Sequence, residues 1–246
     1  MTGLQKNVSK LFERDDALLL AALDHPQSSG VIAGLEDPFA LMDQLTESNA
    51  DGFILNAGLF RHIRNKRHWK KKLIMRVSQG GSKFNDSFSL VHDSYVSKET
   101  VLNSGADAVL IMLILGSNDY DSVQQVAKAI DTYHSLSIPV IVEILSEAMD
   151  QLHTLDMQRT GARIAAEIGA DVVKAFYTDQ FEEVIRGCPV PVILAGGQKD
   201  ADMSAYARKA VQAGVKGFAF GRNIFQNEHP KQVVENLNQI LRGAYV

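Results

Sequence analysis

The sequence predicts an α/β protein closed into a (βα)8 barrel, a TIM barrel, and three observations carry that expectation. Short apolar runs alternate with helically periodic segments through eight successive βα units. Related lead-ins recur ahead of every second apolar run. No linker, low-complexity stretch or shift in composition interrupts the series, so residues 1–246 are expected to form one domain. The competing arrangement is an open doubly wound sheet. Eight repeats, and glycine-bearing loops after the last two strands, favour closure.

The strands follow in order as LLLAALD (18–24), DGFILNA (51–57), KLIMRVS (72–78), DAVLIMLI (107–114), PVIVEIL (139–145), DVVKAF (171–176), PVILAGG (191–197) and GFAFG (217–221). Each is short, apolar and bounded by turn residues. Between them, DPFALMDQLTESN, SVQQVAKAIDTYHSL, RTGARIAAEIG and ADMSAYARKAVQAG space their apolar residues as helices do. The even-numbered strands share the lead-ins SNADGF, SGADAV, IGADVV and AGVKGF, where a helix stops and the chain turns straight into a strand. Strands 5 and 7 begin instead through proline, which is tolerated at a first strand position where its missing N–H costs little.

Composition narrows the function classes. Of 246 residues, 46% are hydrophobic and 22% charged, and the net charge is −4, which leaves no electrostatic footprint for nucleic acid. The densest basic run, RHIRNKRHWKKK (61–72), is expected to be a solvated helix face. The one cysteine, Cys188, excludes an internal disulfide, fits a reducing compartment and is expected to pack at a helix exit. The opening MTGLQKNVSKLFERDD has no apolar signal core, and no apolar run approaches the roughly 20 residues that span a bilayer. A cytoplasmic protein is expected, with a small molecule rather than a nucleic acid or membrane as partner. Assembly as a homo-oligomer is expected as well, of a size the sequence does not give.

A barrel gathers the carboxyl ends of its strands on one face, where barrel enzymes place their sites. Those ends carry Asp24, Asn56, Arg76, Glu143, Lys174, Gly196-Gly197 and Gly221-Arg222. Side chains two apart in a strand share a face, so Lys174 goes with Val172, Glu143 with Ile141, and Asp24 with Ala22. All three ionisable groups can therefore point into the top of the lumen. Lys174 stands out because an ammonium enclosed by Val172 and Phe176 is disfavoured relative to the neutral amine. A neutral amine attacks a ketone carbonyl, loses water and leaves an iminium that draws electrons from the adjacent carbon–carbon bond. Glu143 and Asp24 are carboxylates on the same rim that can move the protons. The plainer alternative is a Lys174–Glu143 or Lys174–Asp24 ion pair that only satisfies the mouth. Gly196, Gly197 and Gly221 let backbone N–H groups approach an anion, RNIFQ offers a short helical start, and Arg222 adds a guanidinium fork; together they suit a phosphate.

The stretch GADVVKAFYTDQFEEVIRGCPVPVILAGGQKD, followed by GFAFGRNIFQNEHP, resembles the bacterial and archaeal class I aldolase family. That family includes archaeal-type fructose-bisphosphate aldolases and the thiolase that degrades phosphorylated autoinducer-2. The likeness is dense from about Gly161 onward and rests earlier on LDHP, against the family's usual Asp-His-Gly after strand 1. It implies Lys174 as the Schiff-base lysine, Asp24 as a site carboxylate, and the two glycine loops with Arg222 as phosphate ligands. Pro26 departs from the family's glycine. Leu145 stands where the archaeal fructose-bisphosphate aldolases carry a tyrosine proton donor. PVIVEIL is similar instead to the strand of tagatose-bisphosphate aldolases whose glutamate moves protons, yet Leu110 replaces their second lysine.

The function expected is thus a metal-independent class I aldolase acting on a phosphorylated ketose or related ketone, with no cofactor. Lys174 would be the nucleophile, Glu143 the proton-transfer group, and Asp24 the residue that orients or protonates the carbinolamine. No histidine pair has ligand spacing at strand ends, since His25, His62 and His68 lie on different or wrong-ended segments. The rivals are a thiolase-type acyltransferase that uses the same lysine to pass an acyl group to coenzyme A, and a catalytically silent barrel that binds a sugar phosphate.

Overall fold

A computed structural model describes residues 1–85, 92–197 and 202–243. Eight parallel strands close on themselves: β1 (Leu18–Ala22), β2 (Gly52–Asn56), β3 (Lys72–Arg76), β4 (Ala108–Leu115), β5 (Val140–Ser146), β6 (Val172–Ala175), β7 (Val192–Ala195) and β8 (Gly217–Phe220). Closure is made where β1 pairs with both neighbours, Leu20 opposite Gly52 of β2 and Leu18 opposite Gly217 of β8. The expected helices run outside the barrel as Pro38–Thr46, Tyr120–His134, Leu155–Glu167 and Met203–Ala213. Every strand read from the sequence is present, with ends trimmed or shifted by at most two residues. Cys188 caps the helix Phe181–Gly187 and is buried there, as expected, with burial pushing its thiol up.

The basic run is a correction. Residues 61–72 form turns around a single 3-10 turn, His68–Lys70, and not a helix face. The reason is where its polar groups go. His68 turns inward, with Nε2 2.8 Å from Asp43 Oδ1. Lys71 Nζ donates to the carbonyls of Ser48 and Ala50 at 3.0 and 2.7 Å, and Lys72, already on β3, pairs with Glu13. A helix through this segment would forfeit those contacts.

Alternation with period two sorts the barrel into layers. One buried cluster fills the lumen and draws on all eight strands: Leu18, Leu20 and Ala22, Ile54, Ile74, Ala108 and Leu110, Ile141, Val172, Ile193 and Ala219. The intervening residues face the helices in a second, larger cluster. Leu11 and Phe12 belong to the lumen cluster. They end the amino-terminal helix Gly3–Leu11, whose first turn is fixed by a capping box between Thr2 and Gln5, and they close the foot of the barrel. That helix was not anticipated, because it is mostly polar and contributes to the core only at its last turn.

The shared lead-ins have a physical explanation. Asp51, Asp107 and Asp171 each stand just before an even-numbered strand, and each clasps the odd-numbered strand before it. The carboxylates accept from the N–H of Leu19, Leu73 and Val140 at 2.7, 2.8 and 2.8 Å. Their own N–H groups donate back to the carbonyls of the same three residues. In the fourth lead-in Lys216 replaces the aspartate. Its N–H still donates to Val192, while its ammonium reaches Asp16. Asp51 is the most heavily engaged, since Arg242 Nη2 also lies 2.6 Å from its Oδ2. Replacing Asp51 by Ala strands a buried N–H and weakens the anchorage of Arg242, so Asp51→Ala should lower unfolding free energy by about 2–4 kcal/mol. Asp107→Asn, which keeps an acceptor oxygen, should cost about 1 kcal/mol or less. Urea denaturation of the two variants measures both.

Candidate active site

Two positions beyond the apolar lumen residues, each strand presents its next inward side chain: Asp24, Asn56, Arg76, Met112, Glu143, Lys174, Ala195 and Gly221. This layer is the mouth. Register sets its central pair, because Glu143 lies directly opposite Lys174 on adjacent strands. Lys174 Nζ is 2.7 Å from Glu143 Oε1, and both side chains are only 6% exposed. The second carboxylate oxygen, Oε2, is buried without a hydrogen-bond partner. An acceptor in that condition is costly unless something from the cavity meets it.

Asp24 forms the second pair, its Oδ2 3.3 Å from Arg76 Nη1, with both side chains buried. Burial alone would raise the Asp24 carboxyl, but Arg76, His25 and Lys174 outweigh it and hold the group below the usual carboxylate range. Asn56 Nδ2 donates to the Asp24 carbonyl at 2.8 Å, which ties the end of β1 to β2. Each nitrogen of Arg76 has a partner. Its Nε donates to the Ser78 carbonyl at 3.2 Å and its Nη2 lies 2.9 Å from Met112 Sδ.

Two cavities open from this layer and meet at His25, Glu143 and Lys174. The larger, about 240 Å3, is lined further by Asp24, Arg76, His92, Met112, Leu145 and Met149. The smaller, about 80 Å3, is lined by Gly196, Gly197, Gly221, Arg222 and Asn223. Asp24, Glu143, Lys174, Gly196, Gly197, Gly221 and Arg222 therefore each border one of the two, whereas Asn56 borders neither. The rest of the β7 loop (198–201) lies outside the described residues. Gly221 is a glycine for steric reasons: a Cβ there would collide with the His25 ring and lie 3.0 Å from the Ala22 carbonyl oxygen. The loops after β1 and β8 are thus packed too closely to admit a side chain at that point, while at Gly196 a Cβ would meet only the side-chain end of Asn223, at 2.8 Å.

Some site residues had no role assigned from the sequence. His25 was weighed only as a metal ligand, yet it borders both cavities, with its ring edge-on to Phe225 at 5.1 Å. Burial, with Lys174 and Arg222 nearby, holds its imidazole below the usual range in spite of Asp24. Arg76 had been placed at the mouth by its strand position, but its partner could not be read. His92 arrives through a two-residue ribbon, Ser78–Gln79 with Asp93–Ser94, that no periodic pattern announces. Among the described residues, no three His, Cys, Asp or Glu side chains converge in a metal-binding group.

The fold and site define a barrel enzyme class whose mouth is built on a buried lysine–carboxylate pair. Residues 18–227 match the family described as DeoC/LacD family aldolase, and the chain belongs to that family. It is 25% identical to an uncharacterized aldolase of Saccharolobus solfataricus, over 98% of this chain and 95% of the relative. It is 27% identical to 3-hydroxy-5-phosphonooxypentane-2,4-dione thiolase of Escherichia coli, over 97% of this chain and 82% of that one. Among solved structures, an archaeal fructose 1,6-bisphosphate aldolase superposes with a TM-score of 0.87 at 22% identity, covering 98% of this chain and 99% of the other. A second archaeal aldolase structure, whose catalytic lysine is covalently bound to the carbinolamine intermediate of its substrate, has the same TM-score. At this identity the structural likeness establishes the fold. Among the described residues, no helix is long and apolar enough to cross a membrane.

His92 makes stability depend on pH. Burial, with Arg76 nearby, pushes its imidazole from 6.5 down to about 4. Between those values the unfolded chain binds the proton and the folded chain does not, so stability falls as pH drops. The full effect should be about 3 kcal/mol, present above pH 6.5 and gone near pH 4. Unfolding free energies of the wild type and His92→Phe, compared across that window, should differ in slope by this contribution.

Proposed function

We propose that the protein is a class I aldolase in which Lys174 forms a Schiff base with a phosphorylated ketose or related phosphorylated ketone. The observation that carries this reading is the position of Lys174 Nζ, buried where the two cavities meet and 2.7 Å from a carboxylate with one unpartnered oxygen. Transfer of a proton from Lys174 to Glu143 frees the amine lone pair to attack the carbonyl carbon. The carbinolamine loses water to give an iminium. Glu143, again as carboxylate, then takes the proton of the hydroxyl on the far carbon of the bond to be broken. That bond breaks, its electron pair enters the iminium, and an aldehyde leaves behind an enamine. Protonation of the enamine carbon and addition of water release the ketone and restore Lys174.

Asp24 acts here as a carboxylate, because Arg76 keeps it ionised. Of the two roles open from the sequence, orienting the carbinolamine suits it better than protonating it. Gly196, Gly197, Gly221 and Arg222 hold the phosphoryl group, supported by the close approach of their backbones around the smaller cavity. No metal or other cofactor enters the scheme. The reading takes residues 1–246 as one domain, working in the cytoplasm as a homo-oligomer. Transfer of an acyl group to coenzyme A from a phosphorylated diketone is a second reading, favoured by the Escherichia coli relatives and separated by whether turnover requires coenzyme A.

Borohydride in the presence of a phosphorylated ketone substrate should add a permanent mass to the peptide containing Lys174. Lys174→Ala should abolish turnover while the circular dichroism spectrum stays that of the folded protein. A label on another lysine, or an active variant, would overturn the mechanism.

Glu143→Gln separates proton transfer from simple pairing. Trapping at Lys174 should survive at least in part, while single-turnover cleavage slows by roughly a hundredfold to ten-thousandfold. Cleavage at near wild-type rate at its own optimal pH would leave Glu143 as a pairing residue only.

A further inference from the structure

The two cavities that meet at Lys174 differ in the charge they can accept. In the smaller one the guanidinium of Arg222 is exposed and makes no ion pair among the described residues. The larger one holds two cations and two anions already matched, Lys174 with Glu143 and Arg76 with Asp24. Arg76 is held by Asp24, by the Ser78 carbonyl and by Met112 Sδ, and its positive charge is already matched by the buried Asp24 carboxylate. The two histidines on the larger cavity, His25 and His92, are both held below the usual imidazole range, so they bring no charge at neutral pH. The rest of its described wall is Met112, Leu145 and Met149, with the hydroxyls of Ser28 and Ser29. A phosphoryl group there would carry a charge of about −1.5 to −2 next to two carboxylates, and among the described residues lining that cavity no lysine or arginine lacks a carboxylate partner.

We propose that the substrate is a monophosphate, its one phosphoryl group in the Arg222 cavity and its other end, in the larger cavity, uncharged and weakly polar. This rests on the reading of Gly196, Gly197, Gly221 and Arg222 as the phosphate site, and it narrows the substrate class from phosphorylated ketones at large to those without a second phosphate. Ketose bisphosphates are then poor ligands of this mouth, whatever their stereochemistry.

The test uses probes with neither stereocentres nor a reactive carbonyl. Wild-type protein at neutral pH is titrated calorimetrically with hexyl phosphate and, separately, with hexane-1,6-diyl bisphosphate. The monophosphate should bind at least tenfold more tightly, and Arg222→Ala should weaken it at least tenfold. Equal or tighter binding of the bisphosphate, binding of neither, or indifference to Arg222→Ala would each overturn the proposal. Borohydride trapping with dihydroxyacetone phosphate, which is too short to reach across the larger cavity, is scored separately. Its failure to label Lys174 would count against the Schiff-base reading while the calorimetry still decides the charge of the far end.

Discussion

Lys174 and Glu143 are each tolerable in the barrel only because the other is there. An isolated ammonium or carboxylate at such low exposure would cost several kcal/mol, and the pairing recovers much of that only with close geometry. Parallel register supplies the geometry by setting the two residues side by side on β5 and β6. The same constraint governs the rest of the mouth. Asp24 is matched by Arg76 two strands away, so the second buried pair repeats the logic of the first. The Lys174–Glu143 pair is not saturated on both sides, because Glu143 keeps one buried oxygen without a partner. A site that is electrically balanced yet locally unsatisfied is suited to a reaction in which a proton moves and net charge does not.

The barrel and the positions of its chemistry were legible in the sequence because both follow from one regularity. Period-two alternation gives eight strands, and it also places Asp24, Glu143 and Lys174 one step above Ala22, Ile141 and Val172. Glycine loops after β7 and β8 were legible for a different reason, since a chain that must approach itself or an anion closely excludes a Cβ. What could not be read was pairing across strands and arrival through irregular chain. Arg76 announces a cation at the mouth but not that Asp24 holds it. His92 reaches the cavity through a short ribbon too brief to leave a pattern, and His25 through a loop reshaped around Pro26. The basic run at 61–72 misled because charge density says nothing about where individual lysines end. Lys71 and Lys72 are spent on a turn and on Glu13, so the periodicity of a helix face never forms.

The likeness to the archaeal aldolases spans nearly the whole chain, and the family match covers residues 18–227, which leaves the amino-terminal helix and the whole of the final helix, Pro230–Gly243, outside it. Those outlying parts are the ones that plug and brace the foot of the barrel, through Leu11, Phe12 and Arg242. They serve the scaffold and stand away from the mouth. Within the matched span, the residues that differ from the expected family pattern, Pro26, Leu110 and Leu145, lie at or near the mouth or in the lumen directly beneath it.

The three aspartate clasps sit at the opposite end of the strands from Lys174. Asp171 stands three residues before Lys174, and Asp51 and Asp107 five before Asn56 and Met112, which at about 3.3 Å per residue puts roughly 10–17 Å between clasp and mouth. Substitutions separated by more than about 10 Å and sharing no partner contribute to stability independently. What anchors the strands and what reacts at their tips are therefore energetically uncoupled. A lineage carrying these clasps could exchange rim residues outside the two buried pairs one at a time, trying new substrates, while the anchorage of the strands stays intact.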